Sequence, residues 1–407
     1  MPIIYFNFIS YQKRSLRFIK MKSVFSFIYV FFICLFLNAQ SFENLTFGSE
    51  DTFEVMTWNL ENFPKNSTTT INYVTQIVEA LDIDLIAIQE ISDEASFQQL
   101  VSNLPDYYGY LESTYYDGLA LLYKSDATRI NNIYRIFNTT AYWNAFPRAP
   151  MVIDLTYNSQ QIYIINNHLK CCGDGVLNLS NSNDEETRRY EAMNLLKTYI
   201  DTNLPNENVI VVGDLNDVLT DAESNNVFQN VLDDATNYLF SDFDIAQGSS
   251  ADWSYPSWPS HLDHILITNE LFYAFNLSSS KIQVIKIDES LSGGWDEYDE
   301  NVSDHRPVAL KLTINSNLGL QHTVTNSLRF TSYPNPASSN MVFNFNPSQT
   351  NTHIQIVDIM GHLVYSKNLT NGQSKVVFNV ESLSNGIYVA KLSSANNTAT
   401  IKVVVSR

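Results

Sequence analysis

Apolar residues between positions 50 and 315 follow two kinds of pattern. Segments 71–81 and 192–200 repeat them at the spacing of one helix face. Continuous apolar runs, such as 85–88 and 209–212, are typical of strands buried on both faces. Further strands are predicted at 53–57, 118–123, 151–155, 162–165, 264–268, 282–287 and 308–314. Helices interleaved with buried strands predict a layered α/β domain.

The pattern changes at about residue 328, where short apolar strands begin to alternate with clusters of Asn, Ser and Gly. The predicted strands are 341–345, 353–359, 363–366, 376–380, 386–392 and 401–405. Such a series is typical of a small all-β sandwich. Residues 316–327 are polar and lack periodicity, so we predict a linker between a domain at 41–315 and a domain at 328–407.

The first 40 residues predict a secretory signal peptide. Met21 and Lys22 give a basic start, residues 24–37 are apolar, and Ala39 offers a small residue for cleavage. We therefore predict Met21 as the true start. The alternative is a membrane anchor, but an apolar run of about 14 residues is short for a bilayer span. No stable membrane span is expected in the mature chain.

The mature chain is predicted to be strongly acidic. The chain of 407 residues carries a formal net charge of -19. Residues 1–40 hold five Lys or Arg and no acidic residue, so their removal leaves -19 - 5 = -24. A chain of this charge has no general attraction to nucleic acid. Binding of phosphodiesters would then depend on divalent cations and on local cations such as Arg148.

Two adjacent cysteines, Cys171 and Cys172, remain in the predicted mature chain. In an oxidising compartment they could form a vicinal disulfide, although the ring would be strained. Two thiols in a loop are the equal alternative. Adjacent cysteines do not have the spacing of a metal site.

Six apolar runs end in polar residues suited to phosphate chemistry. These ends are Thr57-Trp58-Asn59-Leu60-Glu61-Asn62, Ala87-Ile88-Gln89-Glu90, Asn166-Asn167-His168-Leu169-Lys170, Gly213-Asp214-Leu215-Asn216-Asp217, Ser260-His261-Leu262-Asp263-His264 and Ser303-Asp304-His305-Arg306-Pro307. One such residue after a strand is usually a cap or a surface group. Six in this order indicate a shared site.

Over about residues 50–315, this set resembles the endonuclease/exonuclease/phosphatase superfamily of metal-dependent phosphoesterases. The Gly-Asp-Leu-Asn and Ser-Asp-His-Arg-Pro motifs are its most specific parts. The resemblance implies a two-sheet sandwich flanked by helices, with the site at one end of the sheets. It also implies Mg²⁺, or Mn²⁺ or Ca²⁺, as cofactor, and these cations take oxygen ligands.

The resemblance implies roles for individual residues. It assigns metal binding to Glu90, Asn59 and Asp304. It makes His305 the general acid or base at the scissile phosphate, and Asp263 the acid that fixes the tautomer of this histidine.

Five further residues receive roles from the same resemblance. Asp214 positions water or a metal, and Asn216 donates to phosphate. His168 matches a second catalytic histidine of the deoxyribonuclease branch, with Asp117 as its acidic partner. Arg148 matches an arginine that reaches phosphate, a task that suits its bidentate geometry.

The segment before Asp263 leaves two questions open. His261 and His264 are interpreted as local structure or as contacts at the rim of the site. The aromatic segment 252–259 either stacks on bases or sugars or packs as a rigid loop.

The C-terminal strands carry their own motifs. They are Tyr333-Pro334-Asn335-Pro336, Val357-Asp358-Ile359-Met360-Gly361, Leu383-Ser384-Asn385-Gly386-Ile387-Tyr388 and Ile401-Lys402-Val403. They resemble the C-terminal sorting domain of type IX secretion substrates. The resemblance implies a Bacteroidetes-type bacterium, the type IX machinery as a partner, and a secreted or cell-surface location. An adhesive or carbohydrate-binding sandwich is the alternative.

The sequence therefore predicts a secreted, divalent-metal-dependent phosphoesterase, first of all a nuclease acting on extracellular nucleic acid. A phosphatase or a phospholipase C-like phosphodiesterase of the same fold is one alternative, and a non-catalytic adhesion or binding protein is another. The sequence shows no helix-turn-helix, zinc finger or basic strip, so sequence-specific reading of DNA is not expected.

Overall fold

The computed structural model describes residue 42 and residues 45–114, 118–314, 330–345, 352–358, 361–394 and 397–406. The chain divides into two compact units, with the boundary between Asn315 and Ser316. The predicted signal peptide, the predicted linker and Asp117 lie outside the described residues.

The described part of the first unit contains two sheets of six strands each. The strands are β1 (Phe53–Phe63), β2 (Leu85–Ile91), β3 (Tyr107–Leu111), β4 (Gly118–Lys124), β5 (Arg129–Arg135), β6 (Met151–Tyr157), β7 (Gln160–His168), β8 (Asn208–Asp214), β9 (Tyr238–Phe240), β10 (Asp263–Thr268), β11 (Lys281–Val284) and β12 (Val308–Leu312). The strand order is β11-β12-β1-β2-β4-β3 in one sheet and β5-β6-β7-β8-β10-β9 in the other.

The helices of this unit are α1 (Ser67–Leu81), α2 (Glu94–Asn103), α3 (Glu185–Asn203), α4 (Gln229–Leu232), α5 (Phe243–Ala246), α6 (Phe272–Phe275) and α7 (Gly294–Asn301). Short 3₁₀ helices span Thr140–Tyr142, Ser250–Asp252, Asn269–Leu271 and Ile287–Ser290.

Apolar side chains make a layered core. One buried cluster, including Val55, Ala87 and Ile164, fills the space between the sheets. A second packs α1 and α2 on the outer face of the first sheet, and a third packs α3 on the outer face of the second. The continuous apolar strands thus bury both faces, as parallel central strands do. The predicted α/β sandwich of two sheets flanked by helices is confirmed.

Strand direction brings the polar strand ends together. β1 and β2 pair in parallel in the middle of the first sheet, and β7 and β8 pair in parallel in the middle of the second. The register places His168 opposite Asp214, and antiparallel β10 places Asp263 opposite Asp214 from the other side. The carboxyl-terminal halves of four strands and the start of β10 therefore meet at the same place.

A buried polar link joins the sheets beneath this site. Gln89 on β2 donates from Nε2 to Asn166 Oδ1 on β7 at 2.7 Å. Asn166 Nδ2 in turn donates to the carbonyl oxygens of Ile88, at 3.1 Å, and Ala120, at 3.2 Å. Gln89 and Asn166 are buried, so their polar groups have no access to water. Loss of one member would leave the others without hydrogen-bond partners.

Replacing Asn166 with alanine is expected to lower the free energy of unfolding by about 2–3 kcal/mol, because it leaves buried polar groups without partners. Denaturant unfolding of the first unit measures this change. Asn131→Ala is the matched control, since Asn131 is exposed and its hydrogen bond to Asp154 is a surface contact. Equal losses for both variants would contradict the importance of the link.

One predicted strand is shorter than expected. The segment 282–287 pairs with β12 only as far as Val284, which lies opposite Val308. The next residue of the partner strand, Pro307, accepts from Ile285 N at 2.8 Å but has no N–H to donate. The ladder therefore stops, and the chain turns into a 3₁₀ helix at Ile287.

The described part of the second unit is all β. Its strands are β13 (Phe330–Tyr333), β14 (Asn340–Phe345), β15 (Thr352–Asp358), β16 (Leu363–Leu369), β17 (Lys375–Asn379), β18 (Gly386–Ser394) and β19 (Asn397–Val405). They form the sheets β13-β14-β17 and β16-β15-β18-β19 around one apolar core. The predicted small all-β domain is confirmed.

Candidate active site

Glu90 reaches the site through an irregularity in β2. Its φ is 63°, and the register with β4 shifts between Ile88 and Ile91. This left-handed backbone is unusual for glutamate and interrupts the alternation of side chains at the end of the strand. Glu90 Oε2 accepts from Asn62 N at 2.9 Å.

Asn59 holds two carboxylates at once. Its Nδ2 donates to Glu90 Oε1 and to Asp214 Oδ2, each at 3.0 Å. Its Oδ1 accepts from Glu61 N at 2.9 Å. In this arrangement Asn59 is a donor that joins the two sheets of the site, and its predicted role as a metal ligand stays a prediction.

His305 is held by Asp263. Its Nδ1 lies 2.7 Å from Asp263 Oδ2, and both residues are buried. The Nε2 atom is left to face the site, where Asp214 Oδ2 lies at 3.8 Å. Burial alone would lower the pKa of His305, but the carboxylates of Asp263 and Asp214 raise it to about 10. The imidazolium is thereby favoured at neutral pH.

Asp214 lies at the centre of the site. Its Oδ2 is 3.6 Å from His168 Nε2, and its Oδ1 accepts from Asn216 N at 3.1 Å. Burial raises the pKa of Asp214 to about 7, although the charge of His305 opposes this rise. A buried carboxylate with this pKa is suited to accepting a proton.

His168 is buried beside these carboxylates. Its Nε2 is 3.8 Å from Glu90 Oε1. Burial, helped by the positive charges of Arg148 and His305, lowers the pKa of His168 well below its ordinary value. Its Nδ1 has no hydrogen-bond partner among the described residues. The predicted partner Asp117 is outside them, so this pairing stays a prediction.

Asp304 is half-buried next to His305, with its Oδ1 3.9 Å from His305 Nε2. Burial raises its pKa to about 6, against the attraction of His305. Its backbone N donates to Glu61 Oε2 at 2.9 Å, and Glu61 also pairs with Lys65. The loop after β1 therefore fixes the position of Asp304.

The two predicted phosphate contacts lie at the edge of the cluster. Asn216 is half-buried, has a φ of 56°, and donates from Nδ2 to Leu169 O at 3.3 Å. Arg148 is half-buried, and its charge acts on the pKa of His168. Contacts thus join the other predicted site residues that the structure describes, and Arg148 acts on them through its charge.

Sequence reasoning missed the residues that support His305. Ser303 Oγ donates to Asn59 O at 2.7 Å and accepts from His305 N at 3.0 Å. Tyr298 donates to His305 O at 2.7 Å. The ring of Tyr255 lies 4.8 Å from the His305 ring. Ser303 lies within a recognised motif, but no local signal marks Tyr298 or Tyr255.

His261 and His264 are buried and belong to the local structure, so the rim interpretation is wrong. Asp242 Oδ2 lies 3.0 Å from His261 Nε2 and 2.6 Å from His264 Nδ1. The two histidines lower the pKa of Asp242 against the effect of its burial. His264 also donates from Nε2 to Asp217 O at 2.9 Å. This network fixes the backbone around Asp263.

The aromatic segment 252–259 has a mixed character. Trp253 donates from Nε1 to Ile245 O at 3.1 Å and packs locally. Trp258 is 79% exposed on the turn between Tyr255 and Ser260, which form an isolated β-bridge. Trp253 therefore stabilises the loop, and Trp258 presents an exposed aromatic face to solvent.

The two cysteines are exposed free thiols. Cys172 donates to the sulfur of Cys171 at 2.9 Å. This hydrogen bond raises the pKa of the Cys172 thiol. The structure therefore has two thiols in a loop and not a vicinal disulfide.

The donors of the site fit a hard divalent cation. The Glu90 charge raises the pKa of both Asp214 and Asp304. Such crowding of carboxylates in a buried cleft is relieved by a bound cation. Asp214, Asp263 and His305 also have ligand atoms within 4.8 Å of one another, but the Asp263–His305 hydrogen bond accounts for this group.

Comparison with known proteins identifies the class. The model of the endonuclease/exonuclease/phosphatase family matches residues 56–305, and the chain belongs to this family. Members of the superfamily are hydrolases that act on phosphoester bonds and generally use divalent metals. Residues 331–406 match the secretion system C-terminal sorting domain. That domain implies secretion or localisation at the outer surface.

The chain is similar to several solved structures. A TDP2 from D. rerio complexed with a single-strand DNA product is 14% identical with a TM-score of 0.50, covering 65% of this chain and 100% of that one. The human Nocturnin catalytic domain with bound sulfate is 17% identical with a TM-score of 0.46, covering 65% and 96%. A family protein from Bacteroides vulgatus is 13% identical with a TM-score of 0.44, covering 65% and 99%. No curated protein matches the chain. Among the described residues, no helix is both long and apolar enough to cross a membrane.

Proposed function

We propose that the protein is a secreted, divalent-metal-dependent phosphodiesterase that hydrolyses extracellular nucleic acid. The observation that carries this proposal is the position of His305. Its Nδ1 is held by Asp263, and its Nε2 faces the same space as Asp214. A binding scaffold has no need for this oriented pair beside the carboxylates of Glu90 and Asp304, which argues against a purely adhesive role.

Glu90 and Asp304 would hold the metal, with Asn59 orienting Glu90 through its amide nitrogen. When bound, Mg²⁺, Mn²⁺ or Ca²⁺ polarises a phosphoryl oxygen and stabilises negative charge as it develops. The chain itself fixes the carboxylates before substrate arrives. Preorganisation of this kind lowers the cost of reaching the transition state.

Proton transfer at the scissile phosphate is assigned to two buried residues, Asp214 and His305. Asp214 accepts a hydrogen bond from Asn59 and is suited to orient a water molecule and accept its proton. His305 presents Nε2 for charge stabilisation or for proton donation. His168 would add a neutral imidazole on the other side of Asp214, and Asp117 is its proposed partner.

Substrate binding would use few positive charges. Arg148 and Asn216 are the proposed contacts to phosphate, and Trp258 offers an exposed face on which a base can stack. The predicted mature charge of -19 - 5 = -24 disfavours long duplexes. This balance favours short or single-stranded nucleic acid over long duplex DNA.

A hydrolysis screen tests the proposal. Mature protein is incubated with single-stranded DNA, duplex DNA, RNA, phospholipid and sugar phosphates, with and without chelator. We expect chelator-sensitive cleavage of nucleic acid. Cleavage of phospholipid or of phosphomonoesters alone would replace the nuclease assignment by a phospholipase C-like or phosphatase activity, and no hydrolysis of any substrate would favour an adhesion protein.

Export would use both ends of the chain. The proposed signal peptide, with Met21 as start, directs the chain to the periplasm, and residues 328–407 are recognised there by the type IX machinery.

Removing the second unit is expected to leave hydrolysis intact, because every proposed site residue precedes residue 316. A protein of residues 41–318 is compared with the full mature chain for turnover. In the native host, deletion of 328–407 is expected to retain the protein in the periplasm, measured by cell fractionation. A folded 41–318 protein without activity would place a substrate contact in the second unit, and unchanged export would contradict the sorting role.

A further inference from the structure

A second group of carboxylates lies away from the proposed catalytic cluster. The connection between β7 and α3, residues 169–184, contains no helix or strand. Asp174 and Asp184 in this connection and Glu186 in the first turn of α3 have ligand atoms within 4.8 Å of one another. None of these acids has a role in the proposed phosphoester chemistry.

Glu186 makes this group more than a cluster of surface charges. It is only 2% exposed, and its Oε2 has no hydrogen-bond partner among the described residues. A buried carboxylate oxygen without a partner costs free energy unless a cation or donor completes it.

The Glu186 carboxylate points into the connection. Its Oε1 accepts from Gly175 N at 2.7 Å. A Cβ placed on Gly173 would lie 2.1 Å from Oε1 and 2.6 Å from Oε2, so only glycine fits there. The backbone at Gly173 thus lies against the Glu186 carboxylate, next in sequence to Asp174.

The guanidinium of Arg189 is shared between two carboxylates. Arg189 pairs with Glu186 Oε1 at 3.3 Å and with Asp217 Oδ2 at 2.8 Å. One positive charge therefore faces two carboxylates. Asp184 Oδ2 accepts from the backbone N–H groups of Thr187 and Asn178. These donors are neutral, so the carboxylate keeps its negative charge. The group retains an excess of negative charge.

We propose that Asp174, Asp184 and Glu186 form a calcium site, separate from the catalytic metal. The donors are hard oxygens on an irregular segment, which suits the larger and more variable coordination of Ca²⁺ better than the strict octahedron of Mg²⁺. Calcium sites of extracellular modules have dissociation constants of roughly 10⁻⁴–10⁻³ M. An outer-surface location would expose the protein to calcium at such concentrations.

Calcium at this position would order the edge of the catalytic site. Arg189 donates from Nη1 to Lys170 O and Cys172 O, each at 2.7 Å. These carbonyls follow His168 within four residues. Through Asp217, the same guanidinium contacts the segment that follows Asp214. The ion would therefore stabilise the two segments that follow the ends of β7 and β8.

The test measures the melting temperature, Tm, of the mature full chain during calcium titration. It is done in a Glu90→Gln background, which weakens the catalytic metal site. We expect Tm to rise by about 3 °C between chelator and 10 mM Ca²⁺, and 10 mM Mg²⁺ to give less than half of this shift. Adding Asp174→Asn is expected to abolish the rise. Asn at this position can keep the hydrogen bond from Val176 N, so folding is preserved.

Asp126→Asn is the matched control, because Asp126 is also exposed and also accepts one backbone N–H, from Ala127. This control is expected to keep the full shift. If Glu90→Gln does not fold, the same comparison of Asp174→Asn with Asp126→Asn is made in the wild-type background, where the calcium shift is expected to decrease for Asp174→Asn alone. An unchanged shift in Asp174→Asn, or no calcium shift at all, overturns the proposal.

Discussion

Replacing His305 with alanine is expected to lower turnover by about 10²-fold or more, while the fold remains intact. The physical reason is that His305 Nε2 faces Asp214 at the proposed reaction centre, and alanine leaves no group there that can carry a proton or positive charge. Turnover at saturating nucleic acid measures the effect, and circular dichroism checks the fold.

Asp263→Asn separates orientation from chemistry. Asp263 touches His305 only at Nδ1, through the 2.7 Å hydrogen bond, so it is a positioning residue. Asparagine removes the negative charge that favours the imidazolium. We expect a lower turnover with little change in KM, and a shift of the pH profile toward lower pH. His362→Ala is the control for His305→Ala, because His362 is an exposed histidine of the second unit. A His305→Ala protein with nearly normal turnover would remove His305 from the mechanism.

The second large effect concerns the metal. Chelator is expected to abolish turnover, and Mg²⁺, Mn²⁺ or Ca²⁺ to restore it. Glu90→Gln is expected to lower the affinity for the activating metal by at least about 10-fold, since the charged oxygen ligand is lost. The concentration of Mg²⁺ required for half-maximal activity measures this change. The glutamine oxygen can still accept from Asn62 N, which supports the local backbone, although the acceptor for Asn59 Nδ2 is lost.

Glu79→Gln is the matched control for Glu90→Gln, because Glu79 is an exposed acid on α1. It is expected to leave the metal requirement unchanged. Full activity in excess chelator would rule out the metal-dependent reaction. A normal metal requirement in Glu90→Gln would instead move the ligand role to other carboxylates of the site.

The sequence pattern predicts where the site lies because four of the six motifs lie at or near the ends of buried strands. The motifs at 260–264 and 303–307 are also predicted as strand ends, but they lie at the starts of β10 and β12. Asp214 and His168 end neighbouring parallel strands, so their proximity follows from strand direction alone. Glu90 is different: its backbone departs from regular strand geometry at φ 63°. No spacing rule indicates that irregularity, so the residue could be identified from its motif but its orientation could not.

The orientation of Asn59 shows a second limit. Its residue type allows either an oxygen ligand or an amide donor. In the structure Glu61 N donates to its Oδ1, and its Nδ2 donates to two carboxylates on other strands, while the role as a metal ligand stays a prediction. Contacts of this kind depend on tertiary structure. The same holds for Tyr298, whose hydroxyl accepts from Trp58 Nε1 at 3.0 Å and donates to the backbone at His305.

The two sheets divide the proposed catalytic groups between them. Asn59 and Glu90 belong to one sheet, and His168, Asp214 and Asp263 belong to the other. Any sliding or opening of the sandwich would therefore separate the groups, even if each sheet kept its own hydrogen bonds. Hydrolysis would then report the docking of two half-domains. In a denaturant titration we therefore expect activity to be lost no later than the secondary structure measured by circular dichroism.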